Sequence, residues 1–204
     1  MKEITRIEKV YDFDELSESA KDNARMKYRE EFREPDMFTD MCEDAMKEDF
    51  PNSELKVEYS LSYCQGDGLN VYGKMYIQDA VKYVLDNKAD DFDKQEKRFL
   101  NFLSQEGFEI KFDCNGRYGY YLDKTMDIIY ATEDDLEQQY FRSIPYSTIS
   151  KFARCLNDLL GTMCKKYEEE GYDFFYEVED DEIKDIWEVN EYLGWSEDGS
   201  PVYC

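Results

Sequence analysis

Histidine is absent from this 204-residue chain. With it goes the side chain that most often serves as a base beside a serine or cysteine nucleophile. Six cysteines stand at 42, 64, 114, 155, 164 and 204, and no pair has the two-residue gap of the common zinc sites. No Gly-rich Lys-Ser/Thr loop and no dinucleotide fingerprint occurs. The chain also lacks a linker, a low-complexity tract and an internal repeat. No stretch approaches the roughly 18 uncharged apolar residues of a membrane span. The opening Met1-Lys2-Glu3-Ile4-Thr5-Arg6 has no apolar run suited to a signal peptide. These absences argue against catalysis, against a bound metal or cofactor and against membrane insertion. They fit a cytosolic protein with reduced thiols, in which Cys64 and Cys114 are expected to be small core residues. A carboxylate-based metal-dependent enzyme is the alternative, but 49 acidic residues create close pairs by chance and single out none.

What is abundant is negative charge. Forty-nine Asp and Glu against 25 Lys and Arg give a net −24. Such a field opposes direct contact with a phosphate backbone and attracts a basic protein surface. Solubility alone is the simpler use of the same charge. Eighteen Tyr and 13 Phe supply the bulk for a core, which argues against disorder.

Periodicity assigns the elements. Residues 4–11 read as a strand, followed by Ser17 as a helix N-cap with Leu16 as its staple. Ala20, Ala24, Tyr28 and Phe32 recur every four residues, giving a helix that ends before Pro35. A second helix over 36–50 is expected to bury Met37, Met41, Ala45 and Phe50. Leu55, Val57, Tyr59, Leu61 and Tyr63 alternate with polar residues as a strand, and Leu69, Val71, Met75 and Ile77 continue the register after a turn. Helices are expected at 78–87 and 92–106, the second showing Phe99, Phe102 and Leu103. Phe108, Ile110 and Phe112 lead into Asn115-Gly116, with Tyr118, Tyr120 and Leu122 after it, as in a hairpin. Met126, Ile128 and Tyr130 suggest a further strand, and a short helix is expected near 133–142. A long helix carries Ile149, Phe152, Ala153, Leu156, Leu159, Leu160, Met163 and Tyr167, with its cap near Gly171. Tyr192-Leu193-Gly194-Trp195 and Pro201-Val202-Tyr203, around Asp198-Gly199, look like a closing hairpin. Paired strands separated by helices predict an α+β fold: an antiparallel sheet built from hairpins, with several helices on one face. One domain over 1–204 is expected.

Two local features stand out. In Gln65-Gly66-Asp67-Gly68 the carboxylate and nearby carbonyls resemble a calcium loop in chemistry but lack its repeated acids. A turn whose glycines Gly66 and Gly68 take positive φ is the expectation. Between 168 and 191 the acids are Glu168, Glu169, Glu170, Asp173, Glu177, Glu179, Asp180, Asp181, Glu182, Asp185, Glu188 and Glu191, with Lys184 the single base, a net −11. In a helix rising about 1.5 Å per residue this is a carboxylate every ~3 Å of axis. One strand of B-DNA carries a phosphate about every 3.4 Å. A second acidic patch comprises Glu30, Glu31, Glu34, Asp40, Glu43 and Asp44. Tyr172, Phe174, Phe175, Tyr176, Trp187 and Tyr192 interleave with these charges as core residues or as interface anchors.

Tyr11-Asp12-Phe13-Asp14-Glu15-Leu16-Ser17-Glu18-Ser19-Ala20-Lys21 and Tyr59-Ser60-Leu61-Ser62-Tyr63-Cys64-Gln65-Gly66-Asp67-Gly68 resemble the opening and central hairpin of a family of small acidic phage and prophage proteins. Gly194-Trp195-Ser196-Glu197-Asp198-Gly199 is similar to its tail. The three pieces cover 27 residues, about an eighth of the chain, and the family offers no active site to carry over. The resemblance implies a mobile-element protein made in the bacterial cytoplasm. Many small acidic phage proteins block host defence nucleases as DNA mimics, which is an analogy of context and charge. The expected partner is therefore a host protein with a basic nucleic-acid-binding groove. A phage assembly accessory acting through homo-oligomerisation is the alternative.

Overall fold

The computed structural model describes residues 9–64, 66–104, 108–112, 126–130, 143–190 and 193–203. The fold is α+β, as the pattern of paired strands and intervening helices predicts. The contacts of the chain gather into two compact units. Unit 1 is Met1–Phe38 with Gly171–Cys204, and unit 2 is Thr39–Glu170.

Unit 2 holds a four-stranded antiparallel sheet of β1 (Glu54–Ser60), β2 (Gly68–Tyr76), β3 (Phe108–Phe112) and β4 (Met126–Tyr130), in that order. The β1–β2 register sets Val57 opposite Val71 and Tyr59 opposite Leu69. The side chains of Leu55, Val57, Leu69, Val71 and Met75 are buried, as alternation requires of one inward face. Between the strand pairs lie α3 (Ile77–Lys88) and α4 (Lys94–Leu103). Asp93 caps α4 by accepting from the backbone N–H groups of Gln95 and Glu96, and Glu96 returns a bond to the Asp93 N–H. Asp79, in the first turn of α3, is buried yet satisfied: it accepts from Asn52 N at 2.9 Å, Asn52 Nδ2 at 2.8 Å and Ser53 Oγ at 2.6 Å.

Helix α5 (Tyr146–Tyr176) buries Phe152, Leu156, Leu160, Met163 and Tyr167, the stripe read from its spacing. It does not stop at Gly171. That residue is buried inside the helix, and the next turn carries Phe174 and Phe175 onto Phe38, at ring centroid distances of 5.5 and 5.4 Å. Aromatic packing offsets the roughly 1 kcal/mol that a mid-helix glycine costs.

Unit 1 is built on α1 (Glu18–Phe32), α6 (Asp180–Val189) and a two-stranded hairpin of β5 (Gly194–Trp195) and β6 (Pro201–Val202). Ser17 caps α1 by accepting from Ala20 N. Ala20, Ala24 and Tyr28 are buried with Phe13, Leu16, Ile183, Trp187 and Trp195, and Phe32 packs against them. Residues 4–8 of the expected opening strand lie outside the described residues. Tyr11 makes a single antiparallel bridge to Trp195. The small residues on α1 let the tail hairpin approach closely. A Cβ built on Gly199, whose φ is +83°, would lie 1.9 Å from the Ala20 carbonyl oxygen. Only glycine meets both demands.

Four expectations are corrected. Helix α2 (Pro35–Asp49) buries Phe38, Cys42 and Met46, with Phe50 just beyond it, while Met37, Met41 and Ala45 are exposed. Two parallel i, i+4 stripes exist on this helix, and the more aromatic one goes inside. In α4 the fully buried residues are Leu100 and Leu103, with Phe99 and Phe102 only half-buried. Strand β1 ends at Ser60, so Tyr63 leaves the inward register and is 66% exposed at φ 54°. Cys64 is exposed at the hairpin tip rather than in the core. The Asn115-Gly116 turn, Tyr118, Tyr120, Leu122, the 133–142 helix and Cys114 lie outside the described residues. Cys42 and Cys164 are buried and Cys155 half-buried.

Candidate functional site

The hairpin turn and the acidic segments are the features the sequence singles out. At the turn, Asp67 accepts from Ser60 Oγ at 3.1 Å, Ser62 N at 2.6 Å, Cys64 N at 2.9 Å and Cys64 Sγ at 3.1 Å. Its carboxylate thus satisfies the backbone of the loop, as a turn-forming aspartate does. Gly66 sits at φ 105° and Gly68 at φ 158°, as expected for the turn. The bond that the Cys64 thiol donates to the Asp67 carboxylate is the main reason that its pKa lies above the ordinary thiol value. A raised pKa disfavours the reactive thiolate.

The 168–191 segment is not one continuous helix. Its first part closes α5, residues 177–179 form a break, and α6 begins at Asp180. Glu168, Glu169 and Glu170 belong to unit 2, and Asp173 onward belongs to unit 1. Burial, and then the nearby Asp67 charge, raise the carboxyl pKa of half-buried Glu168. Glu169 is exposed, and Glu170 lies 3.4 Å from Lys166.

On α6 the acids divide by role. Asp180 accepts from Arg25 Nε at 2.8 Å, with Arg25 Nη2 at 2.7 Å, a two-pronged grip from α1. Glu182 accepts from Tyr28 Oη at 3.0 Å and from the Arg33 guanidinium. Arg33 also lies over the rings of Tyr28 and Phe174, 5.5 and 4.8 Å from their centroids. These two acids therefore fasten α6 to α1. Asp181, Asp185 and Glu188 are exposed, and at 100° per residue the i, i+4, i+7 spacing aligns them on the face opposite Ile183 and Trp187. Asp173, Glu177 and Glu179 are also exposed.

Several bases of this unit pair with acids. Lys21 pairs with Glu18, Lys27 with Glu30, and Arg25 with Asp22 as well as Asp180. Lys184 reaches Asp14 at 2.8 Å and Asp181 at 3.5 Å. The bond from Lys184, with its charge, holds the exposed Asp14 carboxyl below its usual range. By sequence, unit 1 carries 22 acids against 9 bases over 72 residues, a net −13, and unit 2 carries 27 against 16 over 132, a net −11. Unit 1 is the more densely charged.

The second acidic patch is divided between the units. Glu30, Glu31 and Glu34 are exposed in unit 1, where Glu31 accepts from Tyr203 Oη at 3.1 Å. Exposed Asp40 and Asp44 and half-buried Glu43 are in unit 2, with Asp44 2.8 Å from Lys47. Of the interleaved aromatics, Trp187 is core and Phe174 and Phe175 pack against Phe38, the first tilted and the second edge-on; Tyr192 lies outside the described residues.

Sequence reading missed a cleft of about 420 Å³ in unit 1, lined among others by Asp12, Asp14, Trp187, Glu188, Leu193 and Trp195. Asp12-Phe13-Asp14 had the look of a helix start only, and nothing local joins it to residues 180 positions away. The available signal was the pair of tryptophans, the chain's only two, eight residues apart at the end of the acidic run.

Among the described residues no helix is long and apolar enough to cross a membrane. No family model, curated protein or solved structure matches the chain.

Proposed function

We propose that this protein acts by binding, presenting the carboxylates of unit 1 to a basic nucleic-acid-binding groove of another protein. In the phage setting that the motif resemblance implies, the groove belongs to a host nuclease or effector complex, and occupying it inhibits nucleic-acid handling in the bacterial cytoplasm. One observation carries the reading. Two acids of α6 are committed to Arg25 and Arg33, which leaves Asp181, Asp185 and Glu188 as an outward row on an anchored helix. An ordered row of charge loses less side-chain and backbone freedom on docking than a mobile tail, so more of its attraction appears as affinity. The row spans about 10 Å of helix axis, or one charge per ~5 Å. That is sparser than a duplex strand, so charge chiefly speeds and orients association while apolar contacts prolong it.

The test is competition. A host partner captured at low salt is challenged with a DNA duplex in the presence of the wild-type chain and of D181N/D185N/E188Q. The wild type displaces the duplex, the variant does so at least tenfold less well, and displacement fades as salt rises from about 50 to 500 mM. A variant as effective as wild type, or a partner that keeps its duplex while the chain is bound, sinks the proposal. Asp180 and Glu182 are unsuitable for this test, because changing them loosens α6 itself.

A second reading, homo-oligomerisation as an assembly accessory, draws on Val189 and Leu193, which are 78% and 57% exposed near the end of α6. A concentration-independent oligomer in sedimentation, lost in V189D/L193D, favours it over the first.

A further inference from the structure

The cleft beside α6 gives the partner surface a more specific chemistry. Asp12, Asp14 and Glu188 line it with a single base, Lys184, so its local balance is negative. Its deeper wall is aromatic: the Trp187 and Trp195 rings stack with centroids 5.0 Å apart, and Phe13 meets Trp195 edge-on at 5.3 Å. Its mouth is apolar at Leu193, exposed by 57%. At about 420 Å³ the cleft falls in the range, roughly 300–1,000 Å³, that holds a small ligand or an anchoring side chain. Glu188 belongs both to the cleft and to the outward row of α6, which continues away from it through Asp185 and Asp181.

We infer that this cleft receives an arginine- or lysine-bearing peptide segment of the partner protein. The cation meets Asp12 and Glu188, while Asp14 stays paired with Lys184. A neighbouring apolar side chain covers Leu193. A free small cation would use the carboxylates alone and would leave Leu193 uncovered. A peptide uses both features and can continue along the row of α6. The inference rests on the binding reading above and names the chemistry of its partner.

The two tryptophans of the chain both line this cleft, so their emission reports on it directly. The probe is a labelled 12-residue peptide alternating Arg and Leu, with a Glu-Leu peptide as control. Total binding is followed by anisotropy of the label, and cleft occupancy by tryptophan emission. The Arg-Leu peptide is expected to give a saturable emission change that tracks its anisotropy and disappears at high salt. E188Q/L193S, checked for an unchanged circular dichroism spectrum, is expected to weaken binding at least tenfold, whereas E54Q/E58Q, at exposed positions of unit 2, changes it less than threefold. Bound peptide with unchanged emission, or full affinity in E188Q/L193S, overturns the cleft and leaves the acidic-surface reading standing. An equal response to the Glu-Leu peptide, or a cleft already filled by a second copy in sedimentation, also overturns it. Absence of binding in both readouts at low salt overturns the cleft and the acidic-surface reading together.

Discussion

Unit 1 and unit 2 hold their elements together by different means. In unit 2 the long helix α5 is fixed by side chains that are wholly apolar, with Phe152, Leu156 and Leu160 all at 0% exposure. Charge enters mostly at the periphery, as the Asp93 cap and the pairing of Glu96 with Lys151 at 2.9 Å. In unit 1 the second helix is held partly by charged side chains, Arg25 to Asp180 and Arg33 to Glu182, over a smaller aromatic cluster. The contrast shows that density of acid is not by itself a measure of available surface. Where acids are most crowded, some of them are structural, and the bases nearby are consumed in holding them.

The largest expected effect lies in unit 2. Leu156→Ala removes a fully buried side chain and is expected to destabilise by about 3 kcal/mol, measured by urea unfolding with circular dichroism. Next comes Glu182→Gln, which takes the carboxylate from Arg33, whose side chain is 17% exposed. With Glu182 itself 36% exposed, solvent softens the loss to about 1–2 kcal/mol, read as a lowered unfolding midpoint by tryptophan emission. No change there would mean that α6 rests on its aromatic residues alone, as α5 rests on its core.

A subtler effect is alkaline. Burial, reinforced by the bond to Glu182, pushes the Tyr28 hydroxyl pKa from 10.0 up to about 12. The folded state therefore keeps a proton that the unfolded chain gives up. The stability this contributes is complete below pH 10 and is lost as pH rises toward about 12. Tyr28→Phe is expected to flatten the fall of the emission midpoint across that window, and an unaltered fall would assign it to other groups. The smallest effect is expected from D181N/D185N/E188Q, whose stability should stay within about 0.5 kcal/mol of wild type. A larger loss would place these acids with Asp180 and Glu182 as structural residues and erase the division of roles on α6.

Much of the fold was legible because local pattern is enough for it. The Ser17 cap, the Ala20-Ala24-Tyr28 stripe, the Leu55-Val57 alternation and the hairpin at Asp67 each need only a window of a dozen residues. Acidic composition between Glu168 and Glu188 was equally plain. Its use was not, since Asp180 and Asp181 are neighbours of the same kind, and only the arrival of Arg25 from 155 residues away separates them.

The amino-acid sequence by itself determined the types of most described elements, the absence of histidine chemistry and the surplus of negative charge, because periodicity and composition are local or additive. The tertiary structure decided which of two stripes on α2 goes inside, why α5 runs through Gly171, and which carboxylates face outward. Those outcomes depend on pairs of side chains that meet only after folding, and a carboxylate beside a guanidinium has a different task from the same carboxylate beside water.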